Sequence, residues 1–165
     1  PLVVMTPKSL LRLPAAGSAV SETMMGGFHP VLDEALLTKS ECIRIVFCSG
    51  KLFYDLLDAR SKSSNQRTAI VRLEQFYPFP AAALTELLRS YPNASEFVWA
   101  QEEPQNMGGW FFVKDRIGVL LGTSNKLRYA GRAFSASPAT GFYAIHQLEQ
   151  QQVVREALGA EEFKR

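Results

Sequence analysis

The stretch Ile43-Arg-Ile-Val-Phe-Cys-Ser-Gly-Lys-Leu-Phe-Tyr-Asp-Leu-Leu57 (IRIVFCSGKLFYDLL) decides the fold. Its first part, residues 43–48, is an almost unbroken apolar run, the pattern of a strand covered on both faces. Ser49-Gly50 then turns the chain, with Ser49 read as the helix cap. Leu52, Phe53, Leu56 and Leu57 follow at helical spacing and form one apolar stripe. The same alternation continues downstream. After a polar loop at 61–67, residues 69–73 read as a second strand. Tyr77-Pro-Phe-Pro80 is a turn, and residues 81–90 form a helix with Leu84, Leu87 and Leu88 inward. Residues 97–100 are a third strand, 110–121 a helix, 127–130 a fourth strand and 146–158 a closing helix. Gly118 weakens the 110–121 helix by about 1 kcal/mol relative to Ala. Strands alternating with helices predict an α/β fold with a mostly parallel sheet and helices on both faces.

Upstream the pattern is looser. Residues 2–5 are a short apolar run with strand character, and Thr6-Pro7 is helix-start chemistry, Thr as cap and Pro at the first helical position. The turn that follows stops at Pro14, and Gly26-Gly27 with Phe28-His-Pro30 marks loop. Residues 1–165 are therefore expected to form a single domain, with 1–41 a less regular opening segment and 42–158 the main α/β unit. The chain opens at Pro1 inside an apolar segment, without a Met and without a signal or transit pattern. It is expected to be a piece of a longer polypeptide.

Totals narrow the function. Eighteen Lys and Arg against 16 Asp and Glu give a net charge of +2, too near neutral to suggest nucleic acid or a membrane surface as partner. No apolar run approaches the roughly 20 residues of a membrane span. Cys42 and Cys48 make no disulfide framework and read as reduced, mostly buried thiols of an intracellular protein.

The stretch that most resembles chemistry is Trp99-Ala-Gln-Glu-Glu-Pro-Gln-Asn-Met-Gly-Gly-Trp110. It lies at the carboxyl end of the third strand, the edge where open α/β sheets gather ligands and partners. Glu102 and Glu103 point to opposite sides if the strand continues, so they make a poor acid/base pair. One is expected to face solvent and the other to be buried and hydrogen-bonded. Gly108-Gly109 lets the backbone approach a neighbour closely before the next helix. Lys51 follows a strand in the same way, but Ser49-Gly50-Lys51 lacks the spacing of a nucleotide-binding P-loop and leaves only a weak phosphate or acyl-carrier contact. Arg128, Tyr129 and Arg132 form an Arg-Tyr cluster of interface composition, whose guanidinium forks suit the carboxylates of Glu102 and Glu103. The plain alternative is a solvated edge strand. His29 and His146 have no third ligand at a metal spacing. His146 reads as a hydrogen-bonded structural residue. No serine sits in an activating motif. From the residues alone, no complete catalytic set, cofactor site or metal site is present.

Five stretches carry a resemblance. MTPKSLLR (5–12), FCSGKLFYDL (47–56), AIVRLEQFYPFP (69–80), VWAQEEPQNMG (98–108) and LRYAGRAFSASPATG (127–141) closely resemble the carboxyl-terminal domain of the thiamine-diphosphate-dependent dehydrogenase component of 2-oxoglutarate dehydrogenase complexes. The resemblance runs from Pro1 to about Leu158. Parts of it also look like the sister enzyme acting on 2-oxoadipate. It implies a transketolase-like third domain, three-layered, with a mixed, mostly parallel five-stranded sheet. It implies that the full-length enzyme decarboxylates 2-oxoglutarate on thiamine diphosphate with Mg²⁺, both bound by domains absent here. The succinyl group then passes to the lipoyl arm of the succinyltransferase component. The full-length chain would be a homodimer, in the mitochondrial matrix if eukaryotic and the cytoplasm if bacterial. This domain would serve assembly or regulation, with acetyl-CoA or a nucleotide as effector. The alternative from another class is a regulatory module that binds a nucleotide or acyl-CoA at the strand ends.

Overall fold

A computed structural model describes residues 1–4, 6–33, 38–63 and 67–159. A five-stranded sheet forms the middle layer, in the order β1-β3-β2-β4-β5. Its strands are β1 (Val31–Asp33), β2 (Arg44–Cys48), β3 (Thr68–Leu73), β4 (Glu96–Pro104) and β5 (Leu127–Arg132). All neighbours are parallel except β1, which runs antiparallel to β3. The mixed, mostly parallel sheet is thus as expected, but residues 2–4 of the apolar run read as having strand character supply none of its strands. Leu2, Val3 and Val4 lie outside any strand and are exposed, and Met5 lies outside the described residues. The sheet's remaining edge is filled by Val31–Asp33, three residues too few to show a period.

Strand alternation sorts the core into two faces. Ile45, Phe47, Ala69, Val71, Phe97 and Trp99 point to one side, where α3 (Ala81–Arg89) and α4 (Trp110–Leu121) cover them through Leu84, Leu87, Val113, Ile117 and Leu121. Val46, Cys48, Ile70, Val98 and Ala100 point to the other side. There α2 (Leu52–Ser61) and α5 (Tyr143–Leu158) supply Leu52, Leu56, Val153, Val154, Ala157 and Leu158. Phe53 and Leu57 of the expected stripe are half-buried at its margin. A short helix α1 (Val20–Met25) has no buried residue. Cys42 and Cys48 are buried free thiols, and burial pushes both upward in pKa.

Several local expectations change. Thr6 is not a cap: Pro7 takes the cap position of a single 3₁₀ turn at Lys8–Arg12 with no side-chain bond. Ser49 does not cap α2 either. The turn is made by Gly50, at φ +62°, and Lys51 takes the cap position. The left-handed conformation at Gly50 does what a capping hydroxyl was expected to do. β4 runs four residues beyond Ala100, to Pro104, with an irregularity where it pairs with β5. Helix α5 begins at Tyr143 rather than His146.

Candidate functional site

The strand order reverses between β2 and β4. Helix α2 leaves β2 towards one face and α4 leaves β4 towards the other, so a crevice opens between their carboxyl ends. Two stretches line it, Ser49–Lys51 after β2 and Gln101–Gly109 at the end of β4.

Gln101 organises the second stretch. It stays on the Trp99 side of the strand and is 3% exposed. Its Oε1 accepts the indole N–H of Trp99 and the backbone N–H of Trp110, both at 2.9 Å. Its Nε2 donates towards the carbonyls of Glu103, Pro104 and Met107 at 3.2, 3.0 and 2.8 Å. One carboxamide therefore ties together the strand end, the loop and the first turn of α4. The two glycines follow from this wrap. Gly108 has φ +63°, and a Cβ there would stand 3.0 Å from the Gln101 amide. A Cβ on Gly109 would stand 2.7 Å from Phe76 and 2.8 Å from Trp99. Asn106 then ties this loop to the next by exchanging bonds with the backbone of Ser135 at 2.9 and 3.0 Å.

The two carboxylates part company as expected. Glu103 faces solvent, while Glu102 is about three-quarters covered and turns to the α2/α5 face. The partners differ from those expected. Glu102 takes the ammonium of Lys51, and Gln150 Nε2 donates to it at 2.8 Å. Asp55 completes the group, 3.4 Å from Lys51 and accepting from Gln150 at 2.8 Å. Burial of Lys51 works against its charge, but the hydrogen bond and charge of Glu102, helped by Asp55, outweigh it and raise its pKa. Lys51 is thus engaged on the protein itself, which disfavours the phosphate reading.

Arg132 reaches Glu102 only through the backbone, donating to its carbonyl. The rest of its fork serves α5: Nε donates to Glu149 at 2.7 Å, and Nη2 lies 3.2 Å from His146 Nδ1 and 3.3 Å from Gln150 Oε1. An arginine only donates, so His146 Nδ1 is the accepting side of that contact. Arg128 pairs in register with Val98, four residues before Glu102, and its exposed side chain meets neither carboxylate. Tyr129 turns inward. Its hydroxyl donates towards the carbonyls of Arg132 and Glu103 at 2.9 and 3.1 Å, folded over Gly131, and burial pushes its pKa up to about 12. The Arg128/Tyr129/Arg132 cluster is therefore split between an exposed edge and two inward structural ties.

Sequence reasoning missed Gln101, Asp55, Glu149 and Gln150. Only Gln101 carried a signal: extending the strand by one residue puts it on the same face as Trp99. Tyr77, Phe111, Phe134, Phe142 and Tyr143 are exposed, and the rings of Phe111 and Phe134 meet edge-on with centroids 6.4 Å apart. Among the described residues no group of three His, Cys, Asp or Glu side chains could hold a metal ion. Two of the carboxylates at the crevice are taken by Lys51 and Gln150, so these residues do not fit thiamine diphosphate with Mg²⁺. No described helix is long and apolar enough to cross a membrane.

The chain is, as a class, an α/β domain with helices on both faces of a mostly parallel sheet. The model of the family described as 2-oxoglutarate dehydrogenase C-terminal matches residues 17–158, and the chain belongs to that family. It is similar to the 2-oxoglutarate dehydrogenase E1 component of Cupriavidus necator, with 50% identity over 158 residues, 95% of this chain and 16% of that protein. It is also similar to the E1 component of Haemophilus influenzae and the oxoglutarate dehydrogenase of Buchnera aphidicola. Each is 43% identical over 159 residues, 96% of this chain and 17% of that protein. The chain spans about a sixth of the length of these curated relatives.

Proposed function

We propose that this chain is the carboxyl-terminal, non-catalytic domain of a 2-oxoglutarate dehydrogenase, a single unit of a longer multidomain polypeptide. The observation that carries this reading is the match to relatives about six times longer that bear that name. In the longer chain, domains other than this one hold thiamine diphosphate and Mg²⁺ and decarboxylate 2-oxoglutarate. The succinyl group then passes to the lipoyl-bearing succinyltransferase. The enzyme works as a homodimer inside the cell, in the mitochondrial matrix or the bacterial cytoplasm.

The role of this domain is assembly through the carboxyl edge of β4 and β5. Glu103 and the loop at Gly108 are presented there, and Phe111 at the start of α4 and Phe134 after β5 are exposed with their rings in contact. Clustered exposed aromatic residues are the composition of an interface core rather than of a solvated surface. Lys51, Tyr129 and Arg132 hold that edge in shape from beneath.

The test uses the 165-residue chain and a longer chain that contains it. The short chain is expected to bind no thiamine diphosphate and to show no turnover. The longer chain is expected to turn over 2-oxoglutarate in preference to 2-oxoadipate. Glu103→Gln combined with Phe134→Ser in the longer chain is expected to dissociate more readily in sedimentation while the intact dimer keeps its turnover. Turnover by the short chain, or a thousandfold loss in an undissociated variant, would sink the reading.

A further inference from the structure

The carboxylate of Glu102 stands where a doubly wound sheet ordinarily receives its ligand. The β2 side of the crevice offers an ammonium, Lys51, presented by the left-handed turn at Gly50. Helix α5 offers a second donor, the Gln150 carboxamide at 2.8 Å. Both donors converge on one oxygen, Oε1 of Glu102. The position has the features of a small anion site, a cation and a neutral donor on different elements, aimed at one point and largely withdrawn from water.

We propose that Glu102 is an intramolecular plug: its carboxylate occupies the anion position formed by Lys51 and Gln150 and keeps the switch-point crevice closed to external carboxylates. This deepens the reading of the domain as a non-catalytic, assembly part, and rests on it. Charge enforces the closure. Lys51 and Arg132 face three carboxylates, Asp55, Glu102 and Glu149, so a further anion meets net repulsion. Without Glu102 the cluster holds two cations and two carboxylates, and both converging donors lose their shared acceptor. Asp55 stays 3.4 Å from Lys51, too far to replace a direct charge-assisted bond. Acetate, which carries the head group of glutamate, then matches the vacated position.

The plug is tested by thermal unfolding of the 165-residue chain in chloride and in acetate at equal ionic strength. The wild-type midpoint is expected to be the same in both. Glu102→Ala is expected to melt lower in chloride and to gain about 3 °C or more in acetate at roughly ten times its dissociation constant, along a saturating curve. Lys51→Met combined with Glu102→Ala is expected to lose that response. If Glu102→Ala is unfolded in chloride, refolding in acetate supports the plug, and Glu102→Ser repeats the comparison with a smaller void. Failure of acetate to stabilise or refold either variant overturns the proposal, as does an equal response in the double variant. Stabilisation of the wild type by acetate also overturns it, by showing that the crevice is open. None of these outcomes bears on turnover by the longer chain, so the two readings fail separately.

Discussion

Two neighbouring positions, Gln101 and Glu102, divide the work at the end of β4. Gln101 faces inward and satisfies backbone, while Glu102 faces α2 and α5 and satisfies charge. Gln101→Leu keeps the volume roughly and removes every bond. It leaves the Trp99 indole, the Trp110 N–H and the Met107 carbonyl without the bonds Gln101 made, each costing about 1–3 kcal/mol if unmet. A loss of at least about 2 kcal/mol in urea unfolding is expected, and a loss below about 0.5 kcal/mol would show that water replaces the amide. Tyr129 gives this region a pH signature. Its folded pKa is raised to about 12, chiefly by burial and then by the charge of Glu103, above the usual value near 10. Below pH about 10 the phenol is neutral in both states and its contribution is complete. As pH rises towards 12 the unfolded chain ionises first and stability is lost. The wild-type urea midpoint is expected to fall more steeply between pH 9 and 11 than that of Tyr129→Phe. Parallel slopes would remove Tyr129 as the cause.

At the scale of the element, α3 shows how far periodicity reaches. Leu84 and Leu87 are buried against the Phe47/Trp99 face, while Leu88 sits at its margin. Leu87→Ala is expected to cost about 2–5 kcal/mol, as a large-to-small change in a core, and Leu88→Ala less. Equal costs, read from chemical denaturation, would misplace the stripe. Where apolar residues recur over two or more turns or fill a strand, as in β2, β3, α3 and α4, the sequence was legible because burial itself produces the pattern. It failed where length or polarity hides burial. Val31–Asp33 is too short to carry a period, and residues 2–4 have strand composition without a neighbouring strand to pair with. The polar run Gln101–Glu103 masked the last part of β4, since its burial depends on bonds from α4 and α5. Gln150 lies in a helix rich in glutamine, and nothing local distinguishes it from its solvated neighbours. Only the packing of α2 beside α5 selects it.

The whole molecule is a sandwich in which α5 is tied to the sheet at both ends. At the carboxyl end Arg132 joins β5 to Glu149 and Gln150 of α5. At the amino end Arg44 of β2 bonds the Ala157 carbonyl and pairs with Glu96 of β4, while Gly159, at φ +72°, closes α5 against that guanidinium. A closing helix fixed to the sheet at both ends suits the surface-presenting part proposed above.

β5, finally, is the outermost parallel strand of the described sheet, and its free side offers backbone groups to any passing strand. Arg128 projects from the middle of that strand into solvent. Two copies brought edge to edge would oppose like charges there. Arg128 thus acts against open-ended stacking, a protection that matters most during synthesis and at high concentration. Arg128→Val leaves the fold intact and lengthens the apolar run of the edge. Light scattering from the warmed chain is expected to rise at a lower temperature than for the wild type, while the unfolding free energy in dilute solution stays within about 0.5 kcal/mol of the wild-type value.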